Sequence, residues 1–231
     1  MTQQEPARTA PEPREPPSLI ETMRVEPGRL IPLLELHLER LHRSCTALGY
    51  EWPGVSVIRN RVTQSVVLLN KDRSWRLRLL LAPDGALSVE HGPLEPPHGP
   101  LPVILSGPRL GGASDWLRHK TTYRPWYEKA SAWLQAHPQV FDILYWNENE
   151  EMCEGSRSNV YIQRPDGSWL TPPLAAGVLP GVQRQALLQA GLAYETAISR
   201  EAFLNARARR ISNALRGWRD IRLHQTTDAL G

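Results

Sequence analysis

The sequence predicts an α+β fold divided into two subdomains, and three observations carry that expectation. Strand-like and helix-like segments mix along the chain without the strict strand–helix alternation of a doubly wound sheet. Two Pro/Gly-rich stretches between residues 92 and 115, "GPLEPPHGPLP" and "GPRLGGASD", interrupt the pattern near its middle. The 231 residues, 41% of them hydrophobic, suffice for one large domain or two small ones. The expected organisation is a Pro-rich tail over 1–17, a small N-terminal domain over 18–106, a linker over 107–116 and a larger C-terminal domain over 117–231.

The elements follow in order. The first 18 residues hold five prolines and no apolar periodicity, which predicts a disordered or extended tail. "LIETMRV" (19–25) is a short strand, and "EPGR" turns the chain. Leu34, Leu38, Leu41, Cys45 and Leu48 recur at steps of four and three, the stripe of an amphipathic helix over 33–50 that Gly49 ends. Residues 55–70 read as a second helix. Trp75, Leu77, Leu79 and Leu81 alternate with Arg76 and Arg78, and Pro83-Asp84-Gly85 supplies the turn of a hairpin. "VILS" is a short strand beside the linker. Pro125 and the spacing of Trp126, Ala130, Trp133 and Leu134 predict a helix, followed by the buried-type strand "VFDILYWN". "MCEGSRSNVYI" reads as a strand broken by Glu154-Gly155, with a turn or bulge at the break. "NVYIQR", a "PDG" turn and "SWLTPP" form a second hairpin. "AAGVLPGV" leads into the helix "QRQALLQAG". A mixed segment ending in "RARR", a strand-like "ISNALRG" and a short tail close the chain.

Charge and composition exclude little by themselves. The net charge of +3 arises from 27 basic and 24 acidic residues scattered without a long single-sign block, so nucleic-acid binding is not required. The cluster "NARARR" (205–210) keeps a basic binding module open, although such a run commonly forms the solvated face of a helix. Two cysteines in unrelated contexts, Cys45 and Cys153, form no metal or disulfide pattern, which suggests a reducing compartment. With no long apolar run and no charged start followed by an apolar stretch, neither a membrane span nor a secretory signal is expected, and the protein is expected in the cytoplasm. No GxxxxGK[ST], GxGxxG, HExxH or GxSxG motif occurs, and the histidines show no metal-ligand spacing. No metal is expected.

What remains are polar residues at junctions between elements. Lys120 lies directly before a helix beside Arg118 and His119; it is either an exposed cation or, if buried near other cations, an amine with a lowered pKa suited to Schiff-base chemistry. Arg40 lies next to the apolar stripe of the long helix, where by itself a snorkelling side chain packed over the core edge is expected. "GVLPGVQR" (177–184) carries a glycine-containing loop into a helix start, whose free N–H groups suit an anion. "SNAL" (212–215) offers a small polar pair for a second anion contact or an ordinary turn.

In this order, the blocks "ETMRV", "HLERLHRS", "HKTTYR", "EGSRSN", "GVLPGVQR" and "SNALRG" resemble the fold-type IV pyridoxal-phosphate-dependent, class IV aminotransferase-like family. That family holds branched-chain and D-amino acid aminotransferases and aminodeoxychorismate lyase. The resemblance covers roughly residues 18 to 225, and "ETMRV" with "SNALRGW" is more similar to the lyase branch. It implies a small N-terminal α/β domain, a larger C-terminal pseudo-barrel domain and a homodimer. It implies pyridoxal 5'-phosphate as cofactor, with Lys120 bonding its aldehyde and then moving protons at the substrate carbon. Arg40, the backbone amides of Val182 and Gln183, and Asn213 with Ala214 would hold the phosphate. Glu154 would face the pyridine nitrogen. Thr22, Arg24 and Arg216 would lie on the substrate side. The implied reaction releases 4-aminobenzoate and pyruvate from 4-amino-4-deoxychorismate, a step toward folate. A branched-chain-type or D-amino acid aminotransferase is the alternative. So is a trimmed member with little turnover, since the Pro-rich tail stands where the family has a further strand and Tyr123 stands where an asparagine is common.

Overall fold

The structure, a computed structural model, describes residues 12–96, 98–111 and 114–224. The expected tail over residues 1–11 lies outside the described residues. Its last part is not free: Pro17 is buried, and its carbonyl accepts a 2.6 Å hydrogen bond from the Tyr50 hydroxyl.

The first body is a three-stranded antiparallel sheet covered by two helices. Its strands are β1 (Leu19–Val25), β2 (Trp75–Leu81) and β3 (Leu87–Pro93), in that spatial order. The helices are α1 (Leu34–Leu48) and α2 (Val55–Val67). Strand alternation gives β1 two faces. Leu19, Met23 and Val25 join the core with Leu38 and Leu41 of α1 and with Leu77, Leu79 and Leu81 of β2. Glu21 has the same parity and is therefore carried against α1, whereas Thr22 and Arg24 point to the opposite face. Gly49 ends α1 in the left-handed region at φ 68°, as its sequence position predicts.

The second body is a closed barrel. The strands β4 (Leu101–Leu105), β5 (Asp142–Trp146), β6 (Met152–Gly155), β7 (Asn159–Gln163), β10 (Arg209–Asn213) and β11 (Gly217–Leu223) form a ring, because β10 pairs with both β11 and β7. The pairs β4–β5 and β4–β11 are parallel, and the others in the ring are antiparallel. Strands β8 (Trp169–Thr171) and β9 (Tyr194–Glu195) extend the sheet from β7. Three helices accompany it: α3 (Glu128–Ala136), preceded by a 3-10 turn over Pro125–Tyr127, α4 (Val182–Gln189) and α5 (Arg200–Asn205). Every residue of β5 is buried, as its unbroken apolar run requires in a strand covered on both faces.

Two expectations need correction. Residues 101–105 were grouped with the first domain, but β4 pairs with β5 and β11 and belongs to the barrel. The break between the two sheets therefore falls between Pro93 and Leu101, in the first of the two Pro/Gly-rich stretches. The expected short tail after "SNALRG" is in fact β11, which closes the barrel. Its alternation of Trp218, Arg219, Asp220 and Ile221 hides a strand, since no residue of β11 is fully buried. Two arginines of the basic cluster are engaged by neighbours: Arg209 donates to the Phe203 carbonyl, and Arg210 pairs with Asp220 at 2.7 Å on the surface.

Candidate active site

A cavity of about 250 Å³ lies where β1 and α1 of the first body meet the barrel. Six segments line it: Thr22 of β1; Arg40 of α1; Lys120 and Arg124; Glu154 to Asn159; Leu179, Gly181 and Val182; and Ser212 to Arg216. Phe141 completes the wall.

The break in the strand at Glu154-Gly155 is built by Asp142 of β5. Its buried carboxylate accepts from Ser156 Oγ at 2.6 Å, Ser158 Oγ at 2.5 Å, the Ile143 amide at 2.8 Å and the Arg157 amide at 3.3 Å. These bonds pull the turn between β6 and β7 down onto β5. A Cβ on Gly155 would lie 2.2 Å from Asp142 Oδ2 and 2.7 Å from Ser158 Oγ. Glycine is required here for space, because its φ is not in the left-handed region. Gly181 is required for the same reason, since a Cβ there would meet Asn159 Oδ1 at 2.1 Å.

The turn aims Glu154 inward from β6. Its carboxylate accepts from the Tyr127 hydroxyl at 2.8 Å, the Leu179 amide at 2.9 Å and Asn159 Nδ2 at 3.3 Å. Burial raises its pKa to about 7, even though these donors, Arg124 and Lys120 favour the charged form. Across the cavity, the Lys120 amine is pushed down to about 7 by burial and then by Arg124 and Arg40, against the pull of Glu21 and Glu154. An amine with that pKa is substantially neutral at physiological pH, the form that acts as nucleophile and proton acceptor.

Arg40 is buried rather than snorkelling. Its Nε and Nη2 both reach the Glu21 carboxylate, at 2.8 and 2.5 Å, and Nη1 donates to the Pro180 carbonyl at 3.3 Å. His37, one turn earlier on the same face of α1, bonds Glu21 through Nδ1 at 2.5 Å. Burial raises the Glu21 carboxyl, but Arg40 and His37 overcome it and hold the pKa at about 2. Glu21 thus fixes the guanidinium in a forked pair at the cavity wall.

Gly181 caps α4 in an extended conformation, and the first bond into the helix runs from the Gln185 amide to the Gly181 carbonyl at 2.8 Å. The amides of residues 182–184 precede it and have no partner within the helix, the arrangement that suits an anion. Facing them, Asn213 is locked: its Oδ1 accepts from the Leu215 and Arg216 amides at 3.1 and 2.8 Å, and its Nδ2 donates to the Arg157 carbonyl at 3.1 Å.

The cavity therefore brings together Thr22, Arg40, Lys120, Glu154, Val182, Asn213, Ala214 and Arg216. Two expected residues do not line it. Arg24 and Gln183 line an adjoining space of about 270 Å³, which shares Ala214 with the first. Arg24 lies two residues beyond Thr22 on the same face of β1, roughly 7 Å further along. The Gln183 side chain is turned about 100° from that of Val182 around α4. Sequence reasoning missed Tyr127, Arg124, Asp142, Arg157 and Asn159 as working parts of the site. "EGSRSN" contained a signal for Arg157 and Asn159, but nothing in "RPWYEK" or "FDILYW" marks Tyr127 or Asp142.

The amino-transferase class IV family model matches residues 18–223. The chain belongs to this family. Among class IV relatives, the Schizosaccharomyces pombe protein named "Putative aminodeoxychorismate lyase" is 32% identical over 167 residues, 71% of this chain and 70% of its own. The crystal structure of a "Putative amino-acid aminotransferase" from Mesorhizobium loti superposes with a TM-score of 0.81 at 33% identity, covering 90% of this chain and 99% of that one. A hypothetical aminotransferase of Mycobacterium tuberculosis in its PLP-bound form shares the fold with a TM-score of 0.73 at 22% identity, over 91% of this chain and 84% of that one. Class IV enzymes depend on pyridoxal phosphate, and the donor set here fits that group: a low-pKa amine, a buried carboxylate opposite it, and an arginine beside a helix start. Among the described residues, no cluster could hold a metal ion and no helix is long and apolar enough to cross a membrane.

Proposed function

We propose that the protein is a pyridoxal-phosphate-dependent lyase that converts 4-amino-4-deoxychorismate into 4-aminobenzoate and pyruvate. The observation that carries the reading is one cavity lined by the Lys120 amine, the buried Glu154 carboxylate, the Arg40 guanidinium and the start of α4. The lyase rather than the transaminase is favoured by the name of the Schizosaccharomyces pombe relative and by the cationic lining of the cavity.

Each residue then has a task. Arg40, oriented by Glu21, and the amides at the start of α4 would hold the phosphate, with Ala214 and Asn213 on the other side. Lys120 would hold the cofactor through its aldehyde carbon, and its amine, neutral near physiological pH, would act as the base toward the ring proton on the carbon that bears the substrate amine. Glu154 would keep the pyridine nitrogen protonated, and Tyr127, Leu179 and Asn159 fix the direction of its carboxylate. The cofactor supplies an electron sink for the charge left on the substrate. Thr22 lies on the substrate side, with Arg216 as a carboxylate contact. The functional unit on this reading is a homodimer.

The second reading, an amino-acid aminotransferase, is favoured by the Mesorhizobium loti match over nearly that whole chain. Two incubations separate them. With aminodeoxychorismate the purified protein is expected to yield fluorescent 4-aminobenzoate and pyruvate, and with amino acids plus 2-oxoglutarate no glutamate. Glutamate without 4-aminobenzoate makes it a transaminase. The protein is expected to be yellow, absorbing at roughly 410–420 nm, and Lys120→Ala colourless. A wild-type preparation that stays colourless with added pyridoxal phosphate overturns both readings.

A further inference from the structure

Residues 119–122, which carry Lys120, are fastened to the first body. The Lys120 carbonyl accepts from the Ile20 amide at 2.7 Å, and the Thr122 amide donates to the Ser18 carbonyl at 2.9 Å. These main-chain bonds fix the backbone but leave the side chain its rotamers. Among the described residues, no hydrogen bond or ion pair holds the Lys120 amine itself. A third contact comes from the residue before it: His119 Nδ1 lies 2.9 Å from the Ser44 hydroxyl of α1. His119 is steadied from its other side, where the 3-10 turn over Asp115–Arg118 ends and its amide donates to the Trp116 carbonyl at 3.1 Å.

Ser44 is buried, 5% exposed, and His119 is the one side-chain partner of its hydroxyl among the described residues. It follows His37 and Arg40 at steps of three and four, the spacing of one helix face. All three side chains reach from that face to polar partners: His37 and Arg40 to Glu21, and Ser44 to His119. Four residues of helix rise roughly 6 Å, so α1 is a ruler between Arg40 and the segment that bears the amine. His119 also lines, with Lys120, Tyr127 and Glu154, a small space of about 20 Å³ beside the cavity. Loss of the imidazole would widen that space and let the Lys120 side chain turn into it.

We propose that His119 is a positioning residue whose bond to Ser44 sets the Lys120 amine at a fixed span from Arg40. The role rests on the pyridoxal-phosphate reading, which supplies the aldehyde and phosphate that the span would match. A misplacement of about 1 Å in a reacting group costs on the order of a hundredfold in rate. The test separates phosphate binding from bonding at the amine. Pyridoxamine 5'-phosphate has an amine in place of the aldehyde, so it can occupy the site without bonding to Lys120. Its affinity for the cofactor-free protein, by calorimetry, is expected to stay within twofold of wild type in His119→Ala and Ser44→Ala. Reaction with saturating pyridoxal phosphate, in which the amine adds to the aldehyde carbon and one water leaves, is expected to slow at least tenfold in each. Growth of the yellow absorbance band reads that rate. The double substitution is expected to be no slower than the slower single one, because both remove the same bond. His119→Asn, whose amide reaches about as far as Nδ1, is expected to recover most of the rate, and His119→Gln, whose amide lies nearer the place of Nε2, is not. Single variants that react at the wild-type rate, effects that multiply in the double variant, or a parallel loss of pyridoxamine phosphate affinity each overturn the positioning role. A wild-type protein that binds neither compound overturns the cofactor reading instead. The rate at which fluorodinitrobenzene labels Lys120, followed by peptide mapping, then decides the role: an equal change in the single and double variants supports it, and unchanged labelling overturns it.

Discussion

Glu154 shows how much one residue depends on its neighbours. In water its carboxylate would be ionised well below neutrality, but burial lifts its pKa to about 7. Three donors keep the charged form accessible, and the Tyr127 hydroxyl at 2.8 Å is the nearest of them. Replacing the carboxylate by an amide keeps the shape and removes the charge. Glu154→Gln is therefore expected to retain the cofactor colour yet lose about a hundredfold or more in turnover, the scale for removing a charge stabiliser from a site. Single-turnover absorbance and steady-state product formation together check it, and equal turnover in the two proteins would falsify the role. That Lys120, Arg40 and Glu154 meet in one cavity was legible in the sequence because each lies in a block whose order is distinctive. Tyr127 was not, because its importance lies in where its hydroxyl ends after a 3-10 turn, and spacing alone records only that it is apolar-facing.

At the scale of elements, the turn between β6 and β7 is a device for placing that carboxylate. Asp142 collects two hydroxyls and two amides so that four residues of irregular backbone keep one shape. The sequence showed an interruption and a glycine, and a bulge was the natural expectation. It could not show that the glycine is needed for clearance from an aspartate 13 positions earlier, since that contact exists only after β5 and β6 pair. Gly155→Ala is expected to lower stability by about 1–3 kcal/mol, the usual cost of overpacking. For a chain of this size that is roughly 2–12 °C in melting temperature, and calorimetry of the cofactor-free protein measures it. Gly167→Ala serves as the contrast. It tests positive φ instead, at 89° with open space around the Cβ, and is expected to leave pyridoxal-phosphate affinity unchanged, whereas Gly155→Ala weakens it at least tenfold.

Across the whole molecule, the division into two bodies was legible because Pro- and Gly-rich chain separates them. The break was misplaced because β4 and β11 are short or charged strands whose identity depends on each other. Parallel pairing of β4 with β11 joins residues over a hundred positions apart, and no local pattern announces it. Glu154 of β6 and Lys120, whose carbonyl accepts from the Ile20 amide of β1 at 2.7 Å, share one cavity, and this makes stability depend on pH. The folded state binds the Glu154 proton more tightly than the unfolded chain does, so this group's stabilising contribution is full below about pH 4.5 and is lost as the pH rises to about 7. Lys120 has the opposite sign: its folded-state pKa is depressed from 10.5 to about 7, so stability rises with pH between those values. The two contributions together place a minimum near pH 7 in the cofactor-free protein, each limb worth on the order of a few kcal/mol. His37, lowered chiefly by burial against the pull of Glu21, adds a rise with pH up to about 6.5 that partly masks the acid limb. Differences between proteins remove that background. The melting temperature of wild type relative to Glu154→Gln is expected to fall between pH 5 and pH 7 and then stay level. Relative to Lys120→Met, it is expected to climb between pH 7.5 and pH 10. Melting curves that run parallel for all three proteins across that range would show that the two groups do not titrate in the folded state as their burial requires.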